Sequence, residues 1–223
     1  MQPETPAKAL IFDMDGTIVD NMRYHDDAWE SWYRKHGLPF ERATFSVRTA
    51  GMAIAEIIGP HFPGADAAEL QRLGEEKEGL YRDTYGPLVA PVAGLVDLLD
   101  RARAQAVPMA VGTAAPPPNI ALILDTLSLR ERFATIVSPS QGFRGKPHPD
   151  MFLAAAERMG VAPADCIVFE DAPNGVEAAR RAGMRAVAVL TMLPAQAFAA
   201  FDNVIASVDD YAALDGNPAL RFA

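Results

Sequence analysis

Residues 8–20 read KALIFDMDGTIVD. Ala9 to Phe12 is a short, almost wholly apolar run, the pattern of a strand buried on both faces of a parallel sheet. It stops abruptly at Asp13, Met14, Asp15, Gly16 and Thr17, which leaves two carboxylates two positions apart at the strand's end. In open α/β sheets, ligands bind at the carboxyl ends of the strands. A carboxylate pair there is costly unless something positive sits beside it. Asp-Gly is also an ordinary turn signal, so the rest of the chain must decide between a plain turn and a site.

From about residue 20 to 87 the pattern is helical, with no convincing strand. Asp20 to His36 reads as a helix with Met22, Ala28, Trp29, Trp32 and Tyr33 on its apolar face and Gly37 as its stop. Residues 38–49 read as a connection, Met52 to Ile58 as a short helix and Ala65 to Tyr85 as a longer charged one; Gly86-Pro87 and Pro91 close the segment. Beyond it, strands are expected at Val107–Val111, Thr135–Val137, Ile167–Phe169 and Arg185–Leu190. Helices are expected at Ala93–Gln105, Pro118–Leu127, Asp150–Met159 and Asn174–Ala182. Strands and helices alternating at this length make βα units and a parallel sheet. The expected fold is α/β: a Rossmann-like parallel-sheet core of residues 1–19 plus 88–223, with residues 20–87 inserted as a helical unit.

The 223 residues are half hydrophobic, enough for a sizeable core. A formal charge of −9 without any Lys/Arg cluster argues against nucleic acid or an anionic membrane as partner. The first residues, MQPETPAK, lack the apolar segment of a signal peptide, and no apolar run is long enough to span a bilayer. A cytoplasmic protein, monomeric or weakly dimeric, is expected. The single cysteine, Cys166, heads an expected buried strand, so a small inert core thiol is expected there.

Each expected strand that carries polar groups carries them at its C-terminal end: Asp13 and Asp15, then Thr113, then Glu170 and Asp171. Lys146 lies in a Gly/Pro-bounded loop, GKPHPD (145–150). Brought to one edge, these groups form a hard-oxygen site with one fixed cation, and such oxygens suit Mg²⁺ together with phosphate. No His/Cys cluster has zinc spacing. GFRGKP (142–147) lacks the spacing and the Ser/Thr of a P-loop, and no GxGxxG follows a strand.

FDMDGTIVD, VGTAA, GKPHPD and VFEDAPNGVEAARRAGM, in this order, resemble the four motifs of the haloacid dehalogenase superfamily. The resemblance is nearest to the branch of small-molecule phosphatases and β-phosphoglucomutase, which carries a helical cap after the first motif. It implies Asp13 as the nucleophile that takes a phosphoryl group. It implies Asp15 as the acid that protonates the leaving oxygen and the base that then activates water. It implies Mg²⁺ held by Asp13, the Asp15 backbone carbonyl and Asp171, with Glu170 close by or acting through water. Thr113 and Lys146 would hold phosphoryl oxygens, helped by backbone N–H groups near Gly16 and Ala114. A dehalogenase has no use for Asp15 or a magnesium site, so these carboxylates favour phosphate.

For the cap, the resemblance offers His25 and Lys77 as substrate contacts. It also expects an arginine soon after a glycine, where this chain has Ile54 after Gly51, with Arg48 on the other side. His25 on an aromatic-rich helix is equally a packing residue, and Arg48 and Lys77 read more readily as plain surface charges. The expected function is Mg²⁺-dependent hydrolysis of a small phosphorylated metabolite, a sugar phosphate or phosphoglycolate-like monoester, through an aspartyl-phosphate. The alternatives are a β-phosphoglucomutase-type isomerase, a pyrophosphatase, or a non-catalytic phosphate-binding relative.

Overall fold

The computed structural model describes residues 6–217 and 220–222. Its centre is β1 (Ala9–Phe12), each residue of which is fully buried. The other strands are β2 (Met109–Gly112), β3 (Thr135–Val137), β4 (Cys166–Glu170), β5 (Arg185–Val189) and β6 (Val204–Val208). They form one six-stranded sheet in the order β3-β2-β1-β4-β5-β6, every pair parallel. The strand order reverses beside β1, and such a switch point opens a crevice at the carboxyl ends of its strands.

Alternation along β1 divides the core into two layers. Leu10 and Phe12 face the cluster containing Leu95, Leu98 and Leu99 of α5 (Leu95–Ala104) and Ile123 and Leu124 of α6 (Pro117–Thr126). Ala9 and Ile11 face Phe152 and Ala155 of α7 (Asp150–Met159) and Val176 and Ala179 of α8 (Pro173–Arg181). Helices thus cover both faces of the sheet, which is why these strands read as continuous apolar runs. The Phe12 and Phe169 rings stack across neighbouring strands, with centroids 4.6 Å apart. Cys166 is buried and free, and burial pushes its thiol up to about 11, away from the reactive thiolate.

Between β1 and β2 the chain leaves the sheet to form α1 (Met22–Lys35), α2 (Arg42–Thr49), α3 (Ile54–Ile58) and α4 (Ala67–Tyr85). These helices hold their own apolar cluster of Trp29, Trp32, Tyr33, Phe45, Ile58 and Leu73. The two connections to the sheet run side by side: Val92 N–H donates to Ile18 C=O at 2.9 Å, and Val19 bridges Pro91.

Two elements depart from the sequence reading. The expected connection at 38–49 contains α2, whose sequence RATFSVRT is rich in Thr, Ser and Val and carries one buried apolar anchor, Phe45. That is too weak a periodicity to mark a helix; packing of Phe45 against Trp29, Tyr33 and Phe40 holds it instead. The edge strand β6, VIASV, is largely half-buried and carries no strand signal in the sequence because it lacks the fully apolar run of the inner strands.

Candidate active site

The carboxyl ends of β1, β2 and β4 meet the cap over a cavity of about 90 Å³. Asp13 follows β1 directly, Thr113 follows β2, Glu170 ends β4 and Asp171 follows it; all four are buried and line the cavity with Asp15, Ala114, His25 and Lys77. Lys146 reaches the same point from the loop before α7. It is 1% exposed, its Nζ donates to Asp13 Oδ1 and, at 2.6 Å, to Glu170 Oε1. The Lys146 N–H donates to Gly51 C=O of the cap at 2.9 Å, and Asn174 Nδ2 donates to Ala50 C=O at 3.0 Å. The cap therefore rests directly on the carboxyl edge of the sheet.

Asp13, Glu170 and Asp171 each offer an oxygen, all within 4.8 Å of one another. Asp171 Oδ2 is buried without a hydrogen-bond partner. Three hard carboxylates with one orphaned oxygen fit a divalent cation such as Mg²⁺. Burial pushes Asp13 up to about 8; Lys146 opposes the rise, and the charges of Glu170 and Asp15 add to it. Asp171 is pushed well above the ordinary carboxylate range, by burial first and then by Glu170 and Asp13. Lys146 is shifted upward: burial opposes its charge, but Asp13 and Glu170 outweigh burial.

Gly16 keeps this space open. Its φ is +78°, and a Cβ there would fall 2.0 Å from Asp171 Oδ2 and 2.4 Å from Asp171 Cγ. Gly16→Ala is expected to displace Asp171 and weaken any divalent-cation affinity of the cluster by about 10-fold or more; an unchanged cation titration would contradict the closeness of that contact.

Asp15 is turned into a different environment. Its Oδ1 accepts from Asn21 Nδ2 at 2.6 Å and faces His25 Nε2 at 3.5 Å. Lys77 Nζ donates to His25 Nδ1 at 2.7 Å. An ammonium has no lone pair to accept with, so Nδ1 is the acceptor and the imidazole proton lies on Nε2, toward Asp15. Burial works to raise Asp15, yet it lies below its ordinary value because His25, Asn21 and Lys77 together favour the anion. The two carboxylates of the DMD segment are thus driven in opposite directions in the metal-free site, Asp13 toward its protonated form and Asp15 toward its anion.

His25 is 9% exposed and also stacks on Tyr81 at 3.8 Å, so packing and polar contact coexist there. Gly16 N–H is already occupied by Asn21 Oδ1 at 2.9 Å, so that backbone group is not available to a ligand as the sequence reading expected. Arg48 does not line this cavity. It is exposed on α2, at a second cavity with Tyr33, Phe40 and His61, because the α2 helix turns it away from the sheet edge. Sequence reading missed Asn21, Glu78 and Asn119. Asn119 Nδ2 donates to Glu78 Oε2 at 2.6 Å from 41 residues away, a pairing that no local pattern announces.

A parallel α/β sheet with a helical cap and a carboxylate–lysine cluster at its switch point defines the class of haloacid dehalogenase-like enzymes. Residues 7–183 match the family model for haloacid dehalogenase-like hydrolases, and the chain belongs to that family. It is 37% identical over 190 residues to fructose-1-phosphate phosphatase YqaB of Escherichia coli, covering 81% of this chain and 95% of that protein. It is 35% identical over 190 residues to β-phosphoglucomutase of Bacillus subtilis, covering 82% and 83%. The crystal structure of β-phosphoglucomutase from Clostridium difficile superposes with a TM-score of 0.81 at 26% identity, covering 93% of each chain. Among the described residues no helix is long and apolar enough to cross a membrane.

Proposed function

We propose that this hydrolase is a Mg²⁺-dependent phosphatase acting on a small phosphate monoester, such as a sugar phosphate, with Asp13 as nucleophile. The observation that carries the reading is the division of labour within one turn of chain: Asp13 sits on Lys146 and the carboxylate cluster, while Asp15 faces His25 and Asn21. The phosphatase and mutase names of the relatives are consistent with phosphoryl transfer at such a site.

Positive charge beside Asp13 would free its proton, and the negative charge of the incoming ester would raise Asp15 so that it takes one up. A carboxylate oxygen of Asp13 then attacks phosphorus, the bond from phosphorus to the ester oxygen breaks, and Asp15 gives that oxygen the proton. Asp15, now anionic, takes a proton from a water that attacks the same phosphorus. The bond to Asp13 then breaks, releasing inorganic phosphate and restoring the carboxylate. Lys146 stays fixed by burial and holds positive charge beside the reacting oxygens without reorganising. Thr113, whose Oγ1 accepts from Ala115 N–H at 3.1 Å, keeps its hydroxyl proton for a phosphoryl oxygen. Mg²⁺, held by Asp13, Asp171 and Glu170 with the Asp15 carbonyl, would supply the remaining charge against the phosphoryl oxygens.

The pKa directions give a metal-linked prediction. Asp13 holds a proton up to about pH 8 in the folded protein, whereas its ordinary value is 3.8, and Asp171 shifts the same way. Between about pH 4 and about pH 8 the native state binds more protons than the unfolded chain, so metal-free stability falls as pH rises. A cation displaces those protons, so its stabilising effect grows with pH. The rise in Tm on adding Mg²⁺ is expected to be larger at pH 8 than at pH 6 and to vanish in Asp171→Ala. Equal rises at both pH values, or a rise kept by Asp171→Ala, would place the metal elsewhere.

Turnover of a phosphate-ester panel, with separate readouts of phosphate and of glucose 6-phosphate from β-glucose 1-phosphate, tests the activity. Mg²⁺-dependent phosphate release supports the phosphatase reading. Glucose 6-phosphate without phosphate release makes the enzyme a mutase, and release from pyrophosphate alone makes it a pyrophosphatase.

A further inference from the structure

Among the described residues lining the cavity, Lys77 is the one lysine or arginine, against Asp13, Asp15, Glu78, Glu170 and Asp171. Four of these acids belong to the catalytic edge, where Lys146 and a cation offset them. At the cap end, Lys77 is already committed. Its Nζ donates to His25 Nδ1 at 2.7 Å and to Glu78 Oε1 at 2.9 Å, and lies 4.7 Å over the Trp29 ring. Lys77 is 1% exposed and Glu78 6%. Glu78 lies below its ordinary pKa: burial pulls it up, but Lys77, His25 and Asn119 hold it down, so the pair is a closed ion pair at neutral pH. Arg82, one turn on from Glu78 in α4, does not line the cavity; it donates to Asn119 Oδ1 at 2.9 Å and pairs with Glu75.

From this arrangement we infer that Glu78 is a specificity-determining residue: it cancels Lys77, so the site accepts monoesters with an uncharged, hydroxyl-rich leaving group and rejects those with a second phosphate or a carboxylate. The inference rests on the phosphatase reading above and narrows its ester class, excluding phosphoglycolate. A carboxylate has about four acceptor positions, and Glu78 spends one on Lys77 and one on Asn119. The remainder can accept from substrate hydroxyls, the donors that a polyol supplies. A second phosphate or carboxylate brings acceptors and negative charge, which would meet Glu78 in a buried space with no unpaired cation.

The test is Mg²⁺-dependent phosphate release by the full chain on two matched pairs at equal free Mg²⁺. The pairs are fructose 1-phosphate against fructose 1,6-bisphosphate, and glycerol 1-phosphate against phosphoglycolate, with p-nitrophenyl phosphate as an activated control. The wild type is expected to favour the singly charged-group member of each pair by about 100-fold or more in kcat/KM. Glu78→Gln, which frees Lys77, is expected to narrow that ratio by about 10-fold, through the KM of the doubly anionic member rather than its kcat. Wild-type rates within about 3-fold for both members overturn the inference, and they do so whether or not the variant folds. A wide ratio that Glu78→Gln leaves unchanged removes Glu78 from the role. No release from any ester, p-nitrophenyl phosphate included, removes the phosphatase reading and the inference with it.

Discussion

Asp13→Asn is expected to lower kcat by about 10⁴-fold or more and at the same time to raise the melting temperature of the metal-free protein. Loss of a covalent nucleophile costs rates of that order because no other group in the site can take its place. Asp15, the nearest carboxylate in sequence, is engaged with Asn21 and His25 instead. The stability gain has a separate cause. Burial pushes Asp13 up to about 8, so its ionised form is held at a cost above that pH. An amide of nearly the same shape removes that cost while leaving Lys146 paired with Glu170. A site built to hold charge for chemistry is generally less stable than its neutralised version. Turnover and thermal melts in EDTA at pH 8 check both halves. Retained turnover would sink the nucleophile assignment, and a large drop in Tm would show that Asp13 is mainly a structural partner of Lys146.

Lys146→Met should act in the opposite sense on stability. The methionine preserves packing against Phe152, over whose ring Lys146 Nζ lies at 5.0 Å. It removes the charge that faces Asp13 and Glu170. Breaking a buried ion pair by deleting one partner costs about 3–5 kcal/mol, so the metal-free variant should lose about 3 kcal/mol at pH 8. At pH 5 the loss should shrink, because the stranded carboxylates take up protons. Turnover should fall by about 100-fold or more through the lost electrostatic support. Denaturant titrations at the two pH values check the first effect and steady-state kinetics the second. A pH-independent loss would mean that packing rather than charge holds Lys146 in place.

What could be read from the sequence follows from how local each signal is. The β1 run and its DMD terminus are contiguous, so strand, edge and carboxylate pair could be read together. The same holds for Thr113 after β2 and for Glu170-Asp171 at the end of β4, because strand ends mark themselves by the switch from apolar to polar. Lys146 could be singled out by its glycine and proline neighbours, although nothing in the loop specifies that its ammonium is buried between two carboxylates. The cap was less legible. The packing of α2 depends on Phe45 meeting aromatic residues of α1 and the chain before it, and the direction of Arg48 depends on that packing. The Lys77–His25 contact spans 52 residues and the Asn119–Glu78 contact 41. The first exists only once α1 and α4 have packed together, and the second only once the cap has met α6 of the core. Asn21 illustrates the limit: a single polar residue near a helix start proves to bind Asp15, Gly16 and Tyr81 at once.

The central claim is that Asp13 carries the phosphoryl group between ester and water. Rapid acid quench of the enzyme during Mg²⁺-dependent turnover of a phosphate ester, followed by peptide mass analysis, tests it most directly. The account predicts one phosphoryl group on the peptide containing Asp13 in the wild type and none in Asp13→Asn. Phosphate release without any labelled peptide, or a label that persists in Asp13→Asn, would contradict it.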